Sequence, residues 1–165
     1  MRINNFLKLV VAIVVSELAG VIGSVFTISA IPTWYAGLAK PALNPPAWVF
    51  GPAWTTLYAL MGISLFLVWR RHSLIRANSR MVRIWRWAIF FFFLQLMLNT
   101  LWSIIFFGLH SPGWALVDIV ALWVAIAWTM AVFYRISKPA AYLLVPYILW
   151  VSFASYLNYS IWMLN

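Results

Sequence analysis

Five long apolar stretches, parted by short polar breaks, fill this chain of 165 residues. Hydrophobic residues make up 66% of it and charged residues 8%, which is more apolar surface than a soluble domain of this size can bury. Lipid is therefore the solvent for most of the chain. In lipid each backbone N–H and C=O must find its partner within its own segment, so each stretch is expected to be a helix. The expected architecture is an all-α integral membrane protein, a bundle of five transmembrane helices forming one domain over residues 1–165.

About 20 apolar residues cross a bilayer core. On that length the spans fall at about 7–27, 46–69, 84–107, 112–134 and 139–162. Asn44-Pro45-Pro46 reads as a helix cap followed by proline in the first turn. Ser111-Pro112 and Ser137-Lys138-Pro139 repeat the device for the fourth and fifth helices. Pro52 and Pro146 fall inside their spans and are expected to kink them, freeing the carbonyls of Trp48 and Tyr142.

Charge gives an orientation. With the N-terminus cytoplasmic, ten basic residues lie on the inner side: Arg2 and Lys8, six arginines from Arg70 to Arg86, and Arg135 with Lys138. Only Lys40 lies outside. The excess of inner bases predicts a cytoplasmic N-terminus and an outer C-terminus. It also explains the net charge of +9 as bases facing anionic headgroups, so no nucleic-acid partner is expected. The N-terminal run resembles a signal peptide, but Glu17 interrupts it and no strong cleavage site follows, so it is read as a retained helix. The absence of cysteine excludes disulfides and thiol chemistry. His72 and His110 fall on opposite sides of the membrane, so no shared metal site is expected. No nucleophile–base pair, carboxylate pair or phosphate loop supports hydrolytic chemistry.

The one long outer break runs from about Ile28 to Asn44 and holds Trp34, Tyr35 and Lys40. A segment of this length and aromatic content fits either an interfacial anchor or a lid over a site. Of the 12 tryptophans, Trp48, Trp69, Trp85, Trp87, Trp114 and Trp162 suit interfacial belts. Trp54, Trp102, Trp123 and Trp150 lie deeper. At 1.5 Å per residue, Trp54 is roughly 12 Å, Trp102 roughly 8 Å and Trp150 roughly 18 Å from the outer ends of their helices. Helical spacing extends the pattern. Trp54, Tyr58 and Met61 share one face, Asn99, Trp102 and Phe106 a second, and Tyr147, Trp150, Ala154 and Asn158 a third. Large rings with a few polar handles suit a flat, largely apolar small molecule. Helix packing with buried hydrogen bonds fits the same stripes.

Two acids lie within spans. Glu17 sits among Ser16, Ala19, Gly20 and Gly23, a close-packing face in which it could serve as hydrogen-bonded glue. Asp118 lies in the fourth helix. Structural hydrogen bonding accounts for both, and a proton relay is the rival reading.

The segment PTWYAGLAKPALNPPAWVFGPAWTTLYALMG, from Pro32 to Gly62, resembles the TspO/translocator protein family, also called tryptophan-rich sensory proteins or the peripheral benzodiazepine receptor family. LNTLWSIIFFG from Leu98, ALVDIVALW from Ala115 and PYILWVSFASYLNYSIW from Pro146 agree in order. The resemblance implies five helices, a homodimer, and a pocket covered by the first long loop. It implies a porphyrin as ligand, protoporphyrin IX or haem, with no cofactor or metal required. Carried over residue by residue, it places Trp54 and Trp150 in the pocket. Tyr35, Asn99, Trp102, Tyr147 and Ala154 would complete the site, and Tyr58 joins it by spacing.

Leu157 and Tyr159 lack the following base of a proposed sterol motif, which points to a bacterial member in a cell-envelope membrane. Two functions follow from the resemblance, a porphyrin-binding sensor, regulator or translocator, and a light-dependent porphyrin-degrading enzyme using Trp54 and Trp150. A sterol or lipophilic drug carrier is a third. His110 is read as a loop histidine, with axial ligation of haem iron as the alternative.

Overall fold

The computed structural model describes residues 4–75 and 77–165. All regular structure in these residues is helical, and five helical spans are long and apolar enough to cross a membrane. The protein is thus an integral, multi-pass membrane protein. Arg2 and Arg76, two of the bases in the orientation argument, lie outside the described residues.

Helix α1 (Asn5–Ala30) starts behind Asn4, whose side chain accepts a bond from the Phe6 N–H at 2.9 Å. It runs on into a π-helical turn, Ile31–Tyr35. Much of the expected loop after Ile28 is therefore helix. Pro32 does not end it, and it lies where the winding changes from α to π, a local adjustment that accommodates the missing N–H. Helix α2 (Ala47–Ile75) continues past the apolar core through Arg70, Arg71 and His72. Pro52 lies in its second turn, within a continuous helix. Helix α3 (Ser79–Ser103) ends in a second π-helical turn, Ile104–Gly108. Helix α4 spans Pro112–Ile136.

The fifth span is two helices, α5 (Lys138–Tyr142) and α6 (Val145–Leu164), so Pro146 sits in the first turn after a break rather than at a kink. The prolines mark helix starts as expected, but the polar caps do not hold. Ser111 and Ser137 make no side-chain cap bond, and the Asn44 Oδ1 accepts instead from the Tyr35 hydroxyl at 2.8 Å.

Helix α1 packs on α2 and α3, α3 on α4, and α4 on α5 and α6, while α2 also touches α5. Close approach of α1 and α2 depends on Gly62, where an added Cβ would stand 2.5 Å from the Ile13 Cα. Side chains bond to neighbouring backbones elsewhere. Ser64 Oγ donates to the Ala140 carbonyl at 2.6 Å, and Thr100 Oγ1 to the Ala19 carbonyl at 3.1 Å. At the loop end, the turn after α3 places His110 at a φ of 52°, in the left-handed region. Its ring stacks on Trp34 with centroids 4.5 Å apart, which docks this turn against the end of α1. Large side chains such as Val25, Phe90, Met97, Val117 and Leu149 point outward, as a bilayer-facing surface requires.

Candidate functional site

The halves of α1, α2, α3 and α6 nearest the loop enclose a cavity of about 460 Å³, within the usual size of small-molecule sites. Antiparallel neighbours set its layers. Glu17, Tyr58, Asn99 and Trp150 form the floor, and Ile31, Tyr35, Trp48 and Phe107 lie toward the loop. The two π-helical turns supply part of the mouth through Tyr35, Phe106 and Phe107.

Aromatic rings make most of the walls. Trp54 meets Trp150 edge to face at 6.5 Å and stacks obliquely near Tyr58 at 5.7 Å. Phe50 also meets Trp150 edge to face, at 6.2 Å. On α3, Trp102 stacks on Phe106 at 5.1 Å. Its Nε1 donates to the Asn158 Oδ1 at 2.9 Å, and the Asn158 amide donates to the Pro112 carbonyl at 2.7 Å. That chain ties α3, α6 and α4 together and fixes the plane of the Trp102 ring. A second polar chain lies beneath the floor. The Tyr58 hydroxyl donates to the Asn99 Oδ1, and the Asn99 amide donates to the Tyr147 hydroxyl at 3.0 Å. Trp150 Nε1 is buried without a hydrogen-bond partner.

Of the residues expected at the site, Tyr35, Trp54, Tyr58, Asn99, Trp102, Trp150 and Ala154 line the cavity. Tyr147 does not. It is fully buried behind the wall, edge to face with Trp54 at 6.3 Å, and holds Asn99 from below. Trp123, also expected to be deep, is 41% exposed on the outer face of α4, where its Nε1 donates to Ser152 Oγ at 2.9 Å.

Sequence reasoning missed the α1 wall, which includes Gly20, Val21, Ser24 and Thr27. These are small or aliphatic residues with no ring to draw notice, although their spacing of three and four residues marks one face. The close-packing face is real for its glycines. Gly20 leaves room for the Tyr58 ring, and Gly23 for Ser103. Glu17 departs from that role. Its side chain lines the cavity, and among the described residues no hydrogen bond or ion pair holds it. Asp118 is 8% exposed and its Oδ2 has no partner, so the hydrogen bond expected of it is absent among the described residues.

The segment between the π-turn and α2 is pinned at several points. Lys40 Nζ donates to the carbonyls of Ala36 and Leu38 at 3.2 and 3.0 Å, and lies 4.8 Å from the centre of the Tyr35 ring. Asn165, at the end of α6, clasps the same segment. Its Oδ1 accepts from the Ala39 N–H at 3.0 Å, and its amide donates to the Ala39 carbonyl at 3.1 Å. Two such bonds contribute about 0.5–1.5 kcal/mol each. Asn165→Ala is therefore expected to speed backbone amide exchange around Ala39 roughly tenfold. Exchange mass spectrometry reads this directly, and unchanged rates there would show that the clasp does not hold the segment.

The model of the TspO/MBR family matches residues 12–163. The tryptophan-rich protein TspO of Archaeoglobus fulgidus is 46% identical over 165 residues, covering 98% of this chain and 99% of the relative. That of Chlorobaculum tepidum is 44% identical over 166 residues, covering 98% of each. The human translocator protein is 42% identical over 129 residues, 78% of this chain and 73% of the relative. With the five spans and the tryptophan-walled cavity in place, these matches show that the chain belongs to the TspO/MBR family.

Proposed function

We propose that this membrane protein binds a porphyrin, protoporphyrin IX or haem, in the cavity, and serves as a sensor, regulator or translocator of tetrapyrroles. The observation that carries the reading is the cavity of about 460 Å³ with Trp54, Trp102 and Trp150 in its walls. Flat apolar rings gain most against such walls, by offset or edge-to-face contact. The mouth lies at the Tyr35 and Phe107 end of the cavity. In the orientation that the charge asymmetry favours, this mouth faces the outer side. His110 stacks on Trp34 and does not line the cavity, so axial ligation of haem iron is not part of the reading.

The packing of Trp54 against Trp150 favours a second reading, light-dependent breakdown of protoporphyrin. Two electron-rich indoles would then stand against the excited macrocycle and donate to it. One experiment separates the readings. Protoporphyrin IX is titrated into the protein in detergent, in the dark and then under light. Saturable binding with a stable porphyrin spectrum is the expected result for a sensor or translocator. Loss of the porphyrin band under light, slowed tenfold or more by the double replacement Trp54→Phe and Trp150→Phe, would establish the enzyme instead. Absence of saturable binding would overturn both and leave a sterol or lipophilic drug carrier.

A further inference from the structure

We propose that Glu17 gives the cavity a second recognition element, a carboxyl group that selects flat ligands carrying a cationic N–H group. The inference rests on the reading of the cavity as a binding site for flat molecules. It goes beyond that reading by naming a ligand chemistry that aromatic walls alone do not select.

Glu17 lies near the middle of α1, which spans Asn5–Ala30, and so deep in the bilayer. An acid at such depth is costly unless something offsets it. Among the described residues no hydrogen bond or ion pair engages it. Two polar side chains of the floor, Tyr58 and Asn99, are committed to each other. Gly20, one turn along α1, lets the Tyr58 ring lie against the helix, but the Tyr58 hydroxyl donates to Asn99. The Asn99 amide in turn donates to Tyr147. Among the described residues that line the cavity there is no lysine, arginine or histidine, and Glu17 is the only carboxyl group. It lines the cavity.

A cationic N–H group entering with a flat ring system would meet this carboxyl in an apolar, water-poor space. Charge-assisted hydrogen bonds are strongest in such a setting, where screening is weak. The same feature disfavours an acidic group at the floor. The cavity lining therefore carries its one charged group at the floor, and a ligand's cationic group decides which way round it sits.

The test compares 9-aminoacridine, a flat cation at neutral pH, with acridine, the same ring system without the charge, by equilibrium dialysis against protein in a non-ionic detergent. Protoporphyrin IX is measured alongside. The expected result is binding of 9-aminoacridine at least about tenfold tighter than acridine, a difference of about 1.4 kcal/mol. Glu17→Gln is expected to bring the two within threefold. A preference that survives in Glu17→Gln overturns the proposal. So does a protein that binds protoporphyrin IX but not 9-aminoacridine, and in that case the porphyrin reading stands. Failure of all three probes to bind overturns the porphyrin reading and this proposal together. If Glu17→Gln does not fold, Glu17→Asp decides. A carboxyl drawn back by one methylene should weaken 9-aminoacridine at least threefold and spare acridine, and equal affinities would overturn the proposal.

Discussion

Replacing Gly62 with valine is expected to destabilise the bundle by about 3 kcal/mol, at the upper end of the usual overpacking penalty. A Cβ at this position would stand 2.5 Å from the Ile13 Cα, 2.9 Å from its nitrogen and 3.0 Å from the Ala12 carbonyl oxygen. These are backbone atoms of α1, and no rotamer change moves them aside. The two helices must part instead, in an interior packed too densely to absorb the shift. Thermal unfolding in detergent, followed by loss of helical signal, measures the effect. Gly51→Ala is the internal control, because nothing lies within 4 Å of a Cβ there. Helix propensity alone predicts that this change leaves the midpoint unchanged or raises it. Equal midpoints for Gly62→Val and the unaltered protein would mean that α1 and α2 do not cross as closely as described.

The largest effect on binding is expected at Ala154. This residue is 9% exposed and lies in the cavity wall contributed by α6. Ala154→Trp places an indole in a space of about 460 Å³ already bounded by Trp54, Trp102 and Trp150. A flat macrocycle and that ring cannot share it. Affinity for protoporphyrin IX is expected to fall about a hundredfold, or about 2.7 kcal/mol. Ala154 also belongs to the packed core, so the unfolding midpoint is expected to fall by a few degrees while the protein stays folded. Undiminished affinity in a folded Ala154→Trp protein would move the porphyrin site elsewhere.

The five spans were legible because each apolar run is long enough to cross a bilayer and too apolar to sit anywhere else. Their ends were less so. Composition reports where the hydrocarbon stops, whereas backbone hydrogen bonding carries α2 on through Arg70, Arg71 and His72. The break between α5 and α6 exceeds the kink that a single proline suggests, since a turn at Leu143 and Leu144 precedes Pro146. Depth and spacing pointed to Trp54, Trp102 and Trp150, because large rings far from an interface need an explanation. The same spacing brought in Tyr147, which serves Asn99 rather than the cavity. The α1 wall was hidden for the opposite reason. Val21, Ser24 and Thr27 are ordinary membrane-helix residues, and only the packing of α2 and α3 against their neighbours makes their face a wall. Asn44 looked like a cap and bonds a tyrosine, because the helix had not ended where the loop was expected to begin.

Among the described residues, every side-chain bond that joins two helices links neutral groups. Tyr58 to Asn99, Asn99 to Tyr147, Trp102 to Asn158, Ser64 to Ala140 and Thr100 to Ala19 are all of this kind. The transmembrane voltage acts on net charge, at about 2.3 kcal/mol per elementary charge for each 100 mV. It has no purchase on bonds of this kind. Within the spans the voltage is left with Glu17 and Asp118, and among the described residues neither of them bonds one helix to another.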